Sequence, residues 1–185
     1  MTRTLQAIHR GRLLVLAALV LACASHAWAC GPTRNKHTTT IEIDAPAQRV
    51  WEVVGNYADF TWTGKIARTE ATGGLEPDVA RRTWHFPSGA TFTDQMSMYD
   101  PAEMSLSFVT ESGDVKELPV TGYASRITVR DTGGRATVEW RGAFVRGFPN
   151  NDPPPELSDE AAIAAVTAFQ QAALDNLKRT LEARH

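Results

Sequence analysis

The sequence predicts an α+β fold in which one curved antiparallel sheet wraps a single long helix at the C-terminal end of the chain. Three observations carry that prediction. A short helical segment follows the first strand, strand patterns at hairpin spacing fill the middle, and an amphipathic stretch from Ser158 to about Glu182 closes the chain. Strands joined by tight turns pair as antiparallel neighbours. A sheet built this way must cover one apolar face, and the closing helix is the element left to do it. Space between sheet and helix points to ligand binding sooner than to a particular reaction.

The fold begins after residue 29. Arg3, Arg10 and Arg12 precede an unbroken apolar run from Leu13 to Ala24, and Ala27-Trp28-Ala29 supplies small residues at a cleavage site. Twelve helical residues rise about 18 Å, short of the ~30 Å hydrocarbon core. Residues 1–29 therefore read as a cleaved secretory signal, residues 30–185 as a single domain, and the mature protein as periplasmic with no transmembrane segment. That domain carries 16 basic and 21 acidic residues, a charge of −5, which argues against nucleic acid as partner. Cleavage leaves Cys30 as the lone cysteine of the mature chain. It is either a terminal thiol or, like Cys23 in the alternative reading, a site of lipid modification.

In chain order, Thr38 to Ile43 alternates as a half-buried strand after an extended lead-in. Pro46 suits the first turn of a helix whose apolar face is Val50, Val53 and Val54, and Gly55 stops it. Tyr57 to Trp62 is a short aromatic-rich piece. Gly73-Gly74, Pro87-Ser88-Gly89, Asp100-Pro101, Gly113 and Gly133-Gly134 then separate strands at about 66–72, 79–86, 90–99, 103–110, 119–131 and 135–146. Phe92, Asp94, Met96 and Met98 share one face of their strand, as do Met104, Leu106 and Phe108, and Ala136, Val138, Trp140 and Phe144. The proline-rich residues 147–158 form a stiff loop ending at Ser158, the expected N-cap. Ile163, Val166, Phe169, Ala173, Leu174, Leu177 and Leu181 cover an arc of roughly 140° on the long helix.

Ile-Glu-Ile-Asp-Ala-Pro-x-x-x-Val-Trp at 41–51 resembles the opening of the SRPBCC, or START-like, superfamily, which includes polyketide cyclases and dehydrases. Leu118-Pro119-Val120 through Tyr123, Gly133-Gly134, Val138-Glu139-Trp140 and Ala173 to Lys178 extend the likeness over the mature chain. Together they resemble the exported subfamily that includes the methanol-oxidation accessory protein (MxaD-like). The resemblance implies a helix-grip fold with seven antiparallel strands and an apolar pocket. It also implies a helper role at a periplasmic dehydrogenase and its cytochrome acceptor. Two departures stand out: Thr63-Gly64 replaces the subfamily's His-Pro, and Asp94-Gln95 replaces Glu followed by Arg.

Signals for catalysis are few. His37, His85 and His185 are not spaced as metal ligands, and no nucleophile elbow, phosphate loop or dinucleotide fingerprint occurs. Neither a metal nor a cofactor is expected. His85 falls opposite the Trp84 and Phe86 face, toward solvent. Asp94 lies on an apolar face, where loss of hydration raises a carboxyl pKa unless a donor answers it. It is either a polar anchor in a pocket or a structural partner for an arginine on a neighbouring strand, and the second reading is preferred. The candidate pocket residues are Asp94 and Met96 with Trp62, Trp84 and Phe108. Tyr123, Trp140, Phe144 and Phe169 complete the set, although aromatics of this kind also simply fill cores. With no second ionisable residue facing Asp94, binding of a small apolar ligand or lipid, or assistance to an oxidoreductase, is favoured over catalysis. A cyclase-like enzyme and an envelope lipid carrier are the alternatives on the same fold.

Overall fold

The computed structural model describes residues 31–183. The signal reading, Cys23, Cys30 and His185 lie outside the described residues. Strand β1 (Asn35–Ile43) leads into helix α1 (Ala47–Val54) and a 3-10 turn (Thr61–Thr63). Strands β2 (Arg68–Thr72), β3 (Arg81–His85), β4 (Thr91–Asp100), β5 (Ser105–Gly113), β6 (Val120–Asp131) and β7 (Ala136–Arg146) follow, and then helix α2 (Asp159–Glu182). All seven strands form one antiparallel sheet in the order β1-β7-β6-β5-β4-β3-β2. Hairpins line up β2 to β7, and β1 returns to pair with β7 from Asn35↔Phe144 to Ile43↔Ala136. The segment carrying α1 and the 3-10 turn links the two sheet edges. No helix among the described residues is long and apolar enough to cross a membrane.

The alternating patterns place the core as expected. Ala136, Val138, Trp140 and Phe144 are fully buried along β7, opposite Tyr123, Ile127 and Val129 of β6. At Gly142 the pattern skips a side chain, because a Cβ there would lie 2.8 Å from both Gln170 and Tyr123. β1 starts earlier than its apolar alternation suggests, since Asn35 to His37 pair through their backbones with Gly142 to Phe144. Pro46 is the residue before α1, with ψ 139°, and its carbonyl accepts from Arg49 and Val50. Gly55 does cap α1, at an ordinary φ of −74°. Its absent Cβ is what matters, because one would fall 2.6 Å from the Trp51 ring.

Two expectations change. Register shifts in β4 fall between Thr93 and Asp94 and between Met96 and Met98. Met96 therefore stays opposite Phe108 in the core, while Met98 comes opposite Ser107 on the other face; a bulge breaks the period of two. On α2 the buried face is Ala162, Val166, Phe169, Gln170, Ala173, Leu174, Leu177 and Leu181. Ile163 is 40% exposed. It lies one turn before Thr167, which faces His37 of β1, so its neighbours are the polar first residues of that strand.

Polar contacts inside the apolar interface set how α2 docks. Thr39 Oγ1 donates to Gln170 Oε1 at 3.0 Å, and Gln170 Nε2 donates to the Tyr123 hydroxyl at 2.8 Å. Burial pushes the Tyr123 phenol up to about 12. At the helix start, Ser158 Oγ accepts from Ala161 N at 3.2 Å. Arg146 reaches Asp159 at 2.7 Å and the carbonyls of Phe148 and Asn150 at 2.9 and 2.8 Å, which ties the proline-rich loop to the helix.

Candidate functional site

An open groove of about 570 Å³ lies between α2 and the turns at one end of the sheet. Phe86, Pro87, Leu118, Ala165, Ala168 and Phe169 give it apolar walls, and Lys65, Ser88 and Glu117 bring polar groups to the rim. Each wall has a local cause. Phe86 and Pro87 enter the β3–β4 turn, where Gly89 N donates to Phe86 O at 3.0 Å. Leu118 follows a turn in which its amide donates to Asp114 O. Ala165 and Ala168 are small residues on α2 and leave room that Leu or Phe would fill. Ser88 Oγ donates to Glu117 Oε2 at 2.7 Å and fixes that carboxylate on one wall.

Gly64 adds backbone to the same groove. Its φ of 68° is left-handed, and a Cβ would fall 2.8 Å from Asn176. A proline, fixed near −65°, cannot take that conformation. The Thr63-Gly64 departure therefore gives this chain its own turn beside the groove. Thr63 is buried and donates to Phe60 O at 2.9 Å.

Of the residues expected at a pocket, Phe169 lines the groove. Trp84 and Trp140 lie behind it, with ring centroids 6.1 and 5.8 Å from Phe169. Trp62 packs on Trp140 at 6.0 Å and on Phe60 at 5.3 Å. Met96, Asp94 and Phe108 are fully buried on β4 and β5, and Tyr123 and Phe144 pack edge to face under β6 and β7. Phe108 also borders a smaller hollow of about 300 Å³ on the other face of the sheet, with Val109, Ala124 and Ala143. Rings fill the middle of the space between sheet and helix, and the groove opens at its end.

Behind the groove sits a buried ion pair. Asp94 accepts from Arg82 Nη2 at 2.8 Å, Arg82 Nε at 3.3 Å, Trp84 Nε1 at 2.7 Å and the Tyr57 hydroxyl at 2.5 Å. Burial pushes the Asp94 carboxyl up from the ordinary carboxylate range, and the Arg82 charge pulls the other way. Burial next to Asp94 also raises the Tyr57 phenol above its ordinary value. The Arg82 guanidinium lies 4.0 Å from the Phe60 ring centroid, 4.4 Å from Tyr57 and 4.9 Å from Phe108, a geometry in which each ring face attracts the cation. Asp94 thus has the arginine partner that the preferred reading required. Arg82 was legible in principle: counting outward from Ser88 in the β3–β4 hairpin pairs residue 82 with 94, which is the observed register. Lys65, Phe86, Glu117, Leu118 and the two alanines gave no such signal, because a groove wall made by three separate turns has no sequence period. His85 lies toward the outside of β3 with its Nδ1 3.1 Å from Arg68. No cluster of metal-ligating side chains occurs among the described residues.

A curved seven-stranded antiparallel sheet around a long C-terminal helix, open at one end, defines the helix-grip class, whose members bind hydrophobic ligands. Residues 34–182 match the family of polyketide cyclase / dehydrase and lipid transport proteins, and the chain belongs to that family. No curated protein matches the chain. Among solved structures, the protein XoxI from Bacillus cereus is 25% identical with a TM-score of 0.67, over 81% of this chain and 98% of that one. The Zhui aromatase/cyclase from a Streptomyces species is 18% identical with a TM-score of 0.66, over 82% and 96%. Norcoclaurine synthase from Thalictrum flavum, in complex with dopamine and hydroxybenzaldehyde, is 16% identical with a TM-score of 0.62, over 83% and 90%. The last two likenesses are of fold.

Proposed function

We propose that this protein is an exported binding protein that holds a small apolar molecule in the groove between α2 and the Phe86–Ser88 and Glu117–Leu118 turns. The observation that carries the reading is the isolation of Asp94. It is fully buried, four donors converge on it, and Trp84 and then Phe169 stand between it and the groove. Acid–base chemistry by Asp94 needs that carboxylate within reach of the ligand, and it is withdrawn from it, while the rim carboxylate Glu117 is held by Ser88. Lys65 and Glu117 at the rim suit orientation of a ligand. Export is supported by the positive, apolar and small-residue order of residues 1–29, with the periplasm as destination. Native mass spectrometry of protein purified from its own cell envelope tests the reading. A retained apolar molecule supports it, and protein without one that also rejects apolar probes at near-millimolar concentration refutes it.

A second reading, assistance to a periplasmic dehydrogenase and its cytochrome, rests on the subfamily likeness carried together by residues 41–51, 118–123, 133–134, 138–140 and 173–178. Its contact surface would be the loops 57–65, 87–90 and 147–157, two of which border the groove. The −5 charge of the mature chain favours a basic partner, with association weakening as salt rises past roughly 0.15 M. Dehydrogenase-to-cytochrome electron transfer that is the same with and without this protein across a salt series removes this reading.

A further inference from the structure

The outer face of the sheet, away from the groove, gathers positive charge that this acidic chain leaves partly unanswered. Register sets it there. Arg126 of β6 stands directly opposite Arg141 of β7, and Lys36 of β1 stands opposite Ala143, two residues further along β7. Like charges directly opposed, with Cβ atoms about 5 Å apart, destabilise a strand pair. Glu139 answers Arg141, whose Nε lies 2.9 Å from it, and it also has Arg130 at 3.7 Å. Lys36 and Arg126 have no carboxylate within 4 Å among the described residues. Arg126 is anchored through its Nε, which donates to Ser105 Oγ at 3.1 Å. Its two Nη groups have no protein partner among the described residues.

All three cations border one hollow of about 300 Å³. Its floor is apolar: Ala143, Ala124 and Val109 are consecutive register partners on β7, β6 and β5. Three neighbouring strands span about 10 Å, room for a flat ring system. The hollow exists because the side chains of its floor are short and because the backbone bends at both margins. In β4 the register shifts between Met96 and Met98, and the extra residue, Ser97, lines the hollow. In β6 it shifts between Thr121 and Ala124, with Gly122 at a φ of 54°. Bulges of this kind bend a strand and re-aim its side chains.

From this we infer that the outer hollow is a binding site separate from the groove, for a small acid with a flat apolar body, and that Arg126 and Lys36 hold its carboxylate. The body covers Ala143, Ala124 and Val109. The carboxylate accepts from the Nη groups of Arg126 and from the Lys36 ammonium, and so answers both cations at once. By strand spacing the Cα atoms of those two residues are about 12 Å apart, a gap that two long side chains close over the alanines. A neutral molecule of the same shape gains only the contact of two alanines and a valine, so charge decides what the site takes.

The experiment titrates residues 30–185 with naphthoate and with its neutral counterpart naphthalenemethanol, reading amide shifts by NMR. Naphthoate is expected to move the amides of Lys36, Ser107, Ala124 and Ala143. Its affinity there should exceed that of the alcohol roughly tenfold, the advantage of one charge-assisted hydrogen bond. Salt should shrink that advantage, because exposed charges are screened over about 8 Å at 0.15 M. Lys36→Gln and Arg126→Gln, both at exposed positions, should each cut the affinity for the acid several-fold and leave that for the alcohol unchanged. Equal affinity for acid and alcohol at these amides, or an undiminished preference in both variants, overturns the inference. So do naphthoate shifts confined to Gly64, Ser88 and Ala168 of the groove, and inorganic phosphate moving the outer amides at the same concentration as naphthoate, since charge alone would then suffice. None of these results removes the groove reading, which neutral probes test.

Discussion

Replacing Asp94 with Asn keeps the shape of the side chain and removes its charge. The consequence follows from the four donors that meet there. The carboxylate accepts two contacts from Arg82, one from Trp84 and one from Tyr57. An Asn offers one acceptor oxygen, and its amide turns two further N–H bonds toward groups that are themselves donors. At least one donor is orphaned, and Arg82, 2% exposed, becomes an unpaired buried cation. Breaking a buried pair from one side costs about 3–5 kcal/mol, a large share of the ~5–15 kcal/mol that holds a domain folded. The rings around Arg82 offset a part of that. Chemical denaturation followed by tryptophan emission reads the change directly. The paired variant Asp94→Leu with Arg82→Met should be less destabilised than either single change, since it leaves no buried charge behind. Decanol binding by the folded fraction of Asp94→Asn should match wild type. A loss below about 1 kcal/mol, or a double variant worse than the sum of the singles, would refute the structural role of the pair.

Phe169→Ala should cost about 3–5 kcal/mol, because the ring is 7% exposed and packs on Trp84, Trp140 and Phe86; it should also widen the groove and raise decanol affinity, as calorimetry would record. Gly55→Ala should destabilise by about 1–3 kcal/mol despite an ordinary helical φ, because the new Cβ meets the Trp51 ring at 2.6 Å; a stability gain in thermal melting would contradict that. In alkali, Tyr123 ionises near 12 when folded and near its ordinary 10 when unfolded. The unfolded state loses its proton first, so stability is intact below about pH 10 and falls above it, by up to ~1.4 kcal/mol per pH unit per phenol. Tyr57, also raised, adds to the slope, and Tyr123→Phe should make the decline shallower by about one proton.

Much of this fold is legible in the sequence because its periods are simple. Tight-turn residues fall at hairpin spacing, and each strand between them alternates, so β2 to β7 appear close to their observed bounds. Where the structure departs, a local feature breaks the period. The β4 bulge carries Met98 off the face of Met96. The polar start of β1 leaves Ile163 half open although it sits within the apolar arc of α2. β1 itself extends back to Asn35 by backbone pairing, which no side-chain pattern reports. The ion pair was half visible: Asp94 on an apolar face demanded a donor, and hairpin symmetry supplies Arg82. The groove was much less so. Its walls come from Lys65, Phe86, Leu118 and Ala168, distant in sequence and brought together only by closure of the sheet onto α2. Large aromatics attract attention as pocket residues, yet most of them pack on one another, and the groove is open because small alanines face it.

The most direct test of the central claim is an amide chemical-shift map of residues 30–185 titrated with decanol, a neutral probe that favours neither rim charge. Binding in the groove predicts shifts at Gly64, Lys65, Ser88, Leu118, Ala165 and Ala168, which border it. The outer-face residues Ser107, Ala124 and Ala143 should stay still. Shifts confined to those outer-face residues, or none anywhere at near-millimolar probe, would contradict the account.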